Sequence, residues 1–121
     1  MPERAFKPIF ERLRGILKPL EANMKLKKDR DDVYDLYTNQ VRADGYEYAF
    51  GAVTIKKNYV SYHLFPMYTY PDLVQGLSDG LKKRMQGKTC FNFKTPDERL
   101  FSELETLTLE SLRRFERDGY E

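Results

Sequence analysis

At 121 residues, with 40% hydrophobic and 33% charged content, the chain suits a single domain over 1–121 with a core of its own, not a disordered segment. Nothing approaches the roughly 20 consecutive apolar residues that cross a bilayer, so no membrane is expected. A net charge of +2 gives no ground for a nucleic-acid partner, and one cysteine rules out an internal disulfide.

The first expected element is a helix. Phe6, Ile9, Phe10, Leu13, Ile16, Leu17 and Leu20 recur at spacings of three and four, with Arg4, Lys7, Glu11, Arg12, Arg14 and Lys18 on the wet side. Pro8 is most comfortable in a first turn, which predicts a start near Lys7, and Pro19 predicts the end. The opening MPERAFKPIFERLR lacks the apolar stretch of a secretory signal. Together with the lone cysteine, this makes the cytoplasm the expected location.

Residues 21–32 are polar and aperiodic and read as a connection or a poor edge strand. Tyr34 to Thr38 alternate as a short strand, and Asp44-Gly45 marks a turn. Tyr46 to Ile55 and Tyr59 to Phe65, rich in β-branched and aromatic residues, predict a hairpin in which Asn58 can take a left-handed conformation. Pro66 and Pro71 bound a loop, and Asp72 to Leu77 allows one helical turn. Ser78 predicts the N-cap of a short helix through Met85 that Gly87 ends, and Thr89 to Phe93 a last strand. Thr95-Pro96-Asp97-Glu98 reads as a capping Thr, a first-turn Pro and a Glu three residues after the cap. The helix it opens runs about five to six turns, with Leu100, Phe101, Leu104, Leu107, Leu112 and Phe115 on its apolar side. The order α-β-β-β-α-β-α predicts an α+β fold. Its form is a two-layer sandwich, with the N- and C-terminal helices packed on one face of an antiparallel sheet.

Chemistry concentrates between Lys56 and Lys94, which holds the only histidine (His63), the only cysteine (Cys90) and a cluster of cations threaded between aromatics. Alternation puts Val60, Tyr62 and Leu64 on one face of their strand, and Tyr59, Ser61, His63 and Phe65 on the other. In the last strand Cys90, Asn92 and Lys94 separate from Thr89, Phe91 and Phe93. With the apolar sets beneath the helices, the polar sets share the open face; whether they are neighbours depends on strand order. Lys82, Lys83, Arg84 and Lys88, with Lys56 and Lys57 of the hairpin, could hold an anion. The expected site is therefore Tyr59, His63, Lys82, Lys88, Cys90 and Asn92, holding a small anionic molecule or a protein partner without catalysis.

Sharper chemistry fits less well. A Cys–His pair could make a nucleophile with Asn92 orienting the ring, but a free cysteine is more often a small buried hydrophobe and a strand histidine is more often scaffolding. Gly87-Lys88-Thr89 looks like the end of a phosphate-binding loop, but Lys82 stands where that motif needs glycine, and a strand follows where it needs a helix. Asp29, Asp31, Asp32 and Asp35 miss the calcium-loop spacing, with Val33 at a ligand position and Tyr34 at the glycine. One His and one Cys close no zinc site within one chain. Neither a catalytic residue, nor a metal, nor a cofactor is expected. Tyr46, Tyr48, Tyr59, Tyr62, Tyr68 and Tyr70 crowd the hairpin and the loop after it, enough to line a pocket or a homodimer surface.

The runs IKKNYVSYHLFPMY and LSDGLKKRMQGKTCFNFK and the closing LFSELETLTLESLRRF resemble the YdhG-like family of small, uncharacterised bacterial domains. The match covers most of the chain after Tyr34. The resemblance implies a two-layer α+β domain. It also implies an alternative function, since some relatives are described as frataxin-like iron chaperones that bind iron through acids of the first helix and adjacent strand. The first helix here carries Arg4, Lys7, Arg12, Arg14 and Lys18 instead. Such a role would fall to Glu103 and Glu110, or to Asp29 to Asp35.

Overall fold

An apolar stripe needs a surface to cover it, and in this chain the surface is one face of an antiparallel sheet. A computed structural model describes residues 2–119; the side chain of Arg4 and Glu121 lie outside the described residues. Helix α1 (Pro2–Leu17) buries Phe6, Ile9, Phe10, Leu13, Ile16 and Leu17 against the sheet. Pro8 lies inside α1 instead of opening it. The bond that proline removes is the one to the carbonyl of residue 4, in the first turn, and tertiary packing of the stripe holds the helix regardless. Pro19 does end it, within a 3-10 turn over Lys18–Asn23.

Six strands follow: β1 (Lys25–Asp29), β2 (Val33–Val41), β3 (Glu47–Ile55), β4 (Val60–Leu64), β5 (Met85–Gln86) and β6 (Cys90–Phe93). All pairings are antiparallel, in the order β1-β2-β3-β4-β6-β5. The fold is thus the two-layer α+β sandwich that the element order implies. Both sheet edges are poor templates for strand addition. β1 is lysine-rich and bulged between Leu26 and Lys28, and β5 is two residues long.

Two local approaches set the helix-to-sheet distance. β3 bulges at Phe50, and the next residue, Gly51, lies beneath α1; a Cβ there would stand 2.9 Å from a methyl of Leu17. On the C-terminal side, helix α4 (Glu98–Asp118) buries Leu100, Phe101, Leu104, Leu107 and Phe115, while Leu112 is only half-buried. Its inner face also carries two hydroxyls that an apolar count passes over. Thr108 meets Tyr62 through a hydroxyl–hydroxyl bond of 2.6 Å, and Ser111 bonds back to the Leu107 carbonyl. All four of these residues are buried.

Several expected boundaries move. Asn58 is not left-handed: among the described residues, only glycines have positive φ. Helix α3 spans only Asp79–Lys82, capped by Ser78 as expected, and Met85–Gln86 leaves it to form β5. Pairing with β6, continued by Asn92 N–H donating to the Arg84 carbonyl (2.8 Å), replaces one more helical turn. Gly87 (φ +77°) therefore turns a hairpin and does not end a helix. The cap of α4 is Asp97, whose carboxylate accepts from Leu100 N–H, and not Thr95; Pro96 lies before the helix. Aspartate caps as well as threonine, and its extended backbone sits where the helix starts.

Between β4 and β6 the chain leaves the sheet through α2 (Pro66–Thr69), a 3-10 turn (Pro71–Gly76) and α3. Three contacts with α4 hold this excursion. Tyr70 hydroxyl donates to Asp118 (2.5 Å) and to the Arg114 carbonyl (3.1 Å). Arg114 donates to both oxygens of Asp72 (2.9 and 2.8 Å). Glu103 accepts from the backbone N–H and the hydroxyl of Ser78 (2.8 and 2.6 Å).

Tyr62→Phe is expected to cost about 1–3 kcal/mol in urea unfolding, because it strands the Thr108 hydroxyl; adding Thr108→Val should recover most of that loss. Gly51→Val should cost about 1–3 kcal/mol by driving a branched side chain into Leu17; thermal denaturation at unchanged stability would show that α1 has slack over β3.

Candidate functional site

The register carries one row of residues across the open face: Lys28, Asp35, Ala52, His63, Cys90 and Gln86, each opposite the next on the neighbouring strand. A second row runs Val33, Thr54, Ser61, Asn92. His63 and Cys90 are thus cross-strand neighbours, as are Ser61 and Asn92. Most of these residues are half-buried although they face away from α1 and α4.

His63 is held from two sides. Its Nε2 shares a 2.5 Å hydrogen bond with the hydroxyl of Thr89, which is buried, and its ring stacks on Phe65 with centroids 3.9 Å apart. The bond goes to a threonine hydroxyl, where a tyrosine or backbone partner would have been expected from its aromatic neighbours. Desolvation by this packing lowers the imidazole pKa and keeps it neutral. No hydrogen bond joins the ring to the Cys90 thiol, its cross-strand neighbour.

Asp35 falls within the alternating strand that the sequence predicts and among the acids that miss the calcium-loop spacing. It lies half-buried two strands from His63, across Ala52, and its carboxylate has no hydrogen bond or ion pair with a described residue. Burial raises its carboxyl pKa, opposed by Lys28 and Lys27. The clue was parity: with Tyr34, Leu36 and Thr38 buried under the helices, Asp35 and Tyr37 must face outward.

At the far end of the open face a cleft of about 480 Å³ is lined by Tyr59, Lys83, Arg84, Met85, Gln86, Asn92 and Lys94. Asn92 donates to the Gln86 side-chain oxygen (2.5 Å), and its own Oδ1 is buried without a partner. Elsewhere many cations are paired: Arg12 makes a bidentate contact with Glu98, and Lys27, Arg42 and Arg114 also meet carboxylates. None of the seven cations from Lys56 to Lys94 pairs with a described carboxylate. A second cleft, of about 390 Å³, also reaches Met85 and has mainly apolar walls: Met67, Tyr68, Pro71, Val74, Met85, Gly87 and Lys88.

The expected site residues therefore divide. Tyr59 and Asn92 line the cationic cleft, Lys88 the apolar one, and Lys82 on α3 lines neither. His63 and Cys90 occupy the sheet between. The expected site omits Lys83, Arg84 and Lys94, although the sequence places Lys83 and Arg84 in the anion-holding cluster and Lys94 on the polar face of the last strand. Glu103 and Glu110 are engaged with Ser78 and with Arg113 and Arg114, and Asp29 with Arg14. Among the described residues, no group of three or more His, Cys, Asp or Glu is placed to hold a metal ion. Among the same residues, no helix is long and apolar enough to cross a membrane. Comparisons with family models, curated proteins and solved structures find no match.

His63→Phe is expected to cost about 1–3 kcal/mol at pH 7.5 by stranding the buried Thr89 hydroxyl. The folded-state pKa of His63 is depressed, so its neutral form supports the fold fully above the unfolded value of about 6.5, and that support is lost as pH falls below it. The gap between wild type and variant should accordingly narrow from pH 7 to 5; parallel stability curves would show that the ring titrates freely.

Proposed function

We propose that the chain is a cytoplasmic, non-enzymatic binding domain, of the YdhG-like kind, which holds a small phosphate-bearing anion at the β5–β6 end of its open sheet face. The observation that carries this reading is the cleft walled by Lys83, Arg84 and Lys94, none of them neutralised by a described carboxylate, beside the ring of Tyr59 and the amides of Gln86 and Asn92. Three unpaired cations in one concavity repel each other until an anion arrives, so occupancy relieves a cost already present in the free protein. Arginine and lysine supply donors suited to phosphate oxygens, and tyrosine offers a flat apolar wall.

Calorimetric titration with inorganic phosphate at low salt should show saturable binding that weakens as ionic strength rises. Lys83→Ala with Arg84→Ala and Lys94→Ala should weaken it at least about tenfold, since charge-assisted hydrogen bonds are each worth about 1.5–3 kcal/mol. Lys82→Ala should leave it unchanged. Equal affinity in the triple variant would end the assignment.

A further inference from the structure

The cationic and apolar clefts share one residue of the two-residue strand β5, Met85, which is half-buried and lines both. From this shared wall we infer that the ligand is a free amphipathic anion, its phosphate or carboxylate head among Lys83, Arg84 and Lys94 and an apolar body passing Met85 into the second cleft. The inference rests on the anion site proposed above.

Each cleft alone is small for an organic ligand, about 480 and 390 Å³, near the lower end of the range that buries one. Their chemistry is complementary along one direction. The first presents cations and amides; the second presents two thioethers, Val74, Pro71 and the ring of Tyr68, a side chain 60% exposed. Methionine at the shared wall suits this role because its unbranched chain reshapes around a ligand at little cost. Gly87 adds no side chain to the second cleft, and nothing stands within 4 Å of where its Cβ would be. The volume is also what favours a free molecule over a bilayer: the second cleft receives one short chain, and the cations face the cleft beside it.

The test is a chain-length series on the intact protein. Inorganic phosphate, butyl phosphate and octyl phosphate, each kept below its micelle-forming concentration, are titrated by calorimetry. Octyl phosphate is expected to bind at least about tenfold tighter than butyl phosphate, since each buried methylene adds to affinity. Val74→Trp, which fills the apolar cleft, should abolish that advantage while leaving inorganic phosphate affinity unchanged. Tyr68→Ala, at an exposed position, should reduce it even if the tryptophan variant unfolds. Equal affinity for butyl and octyl phosphate, with phosphate still bound, overturns the amphipathic ligand and leaves the anion site standing. Octyl phosphate binding that ignores Lys83→Ala with Arg84→Ala overturns both. Octanol binding as tightly as octyl phosphate, or sedimentation with anionic vesicles in preference to the monomeric amphiphile, overturns the inference as well.

Discussion

Two helices cover one face of a six-stranded sheet and leave the other open, so parity along each strand decides what a residue does. Val60, Tyr62 and Leu64 disappear under α1 and α4, while Ser61 and His63 between them remain on the uncovered side. A one-residue slip of β4 would exchange these sets, placing a serine and a histidine in the core. The bulge at Phe50 and the missing Cβ of Gly51 serve the same end. They let α1 lie close enough that the covered side is filled with packed apolar atoms. The Tyr62–Thr108 hydroxyl pair then fixes α4 over a particular point of β4, where apolar contact alone would tolerate sliding.

The electrostatics follow from where the acids are used. The C-terminal segment carries a surplus of carboxylates, yet these are taken up locally: Glu98 by Arg12, Glu110 by its own helix, Asp118 by Arg117 and Tyr70, Glu103 by the cap of α3. Asp118 is held so firmly that its pKa drops to about 2. The cations of the excursion, and Lys94 just after β6, are consequently left to water. Exposed positions make that affordable, since screening keeps their mutual repulsion small until they converge on a cleft.

Periodic features were legible in the sequence, and relational ones were not. The stripe from Phe6 to Leu17 and the hairpin of β3 and β4 each announce themselves through spacing, because burial on one side imposes it. β5 did not, since two residues carry no period and Lys82–Met85 favours a helix until Gly87 turns the chain back onto β6. The helix cap misplaced to Thr95 reflects two good capping residues two positions apart, a choice that local preference cannot make. For the site, alternation was enough to bring His63, Cys90 and Asn92 to one face. Their pairing across β4 and β6 required the strand order. Whether a lysine is neutralised depends on residues far along the chain, and so the division between Lys82, Lys88 and the trio Lys83, Arg84 and Lys94 emerges only from the folded molecule.

β4 pairs directly with β6, and everything in residues 65–89 is carried outside that pairing as a detour fastened to α4. Closing a longer detour costs only a logarithmic increment of chain entropy. β5 hangs from the edge of the sheet, bonded on one side only. The apolar cleft and the Lys83–Gln86 wall of the cationic one are therefore built on this detour, while Tyr59, Asn92 and Lys94 keep the other wall with the sheet. One wall of the binding end can thus vary while the other stays with the scaffold, as one jaw of a vise moves against a fixed one.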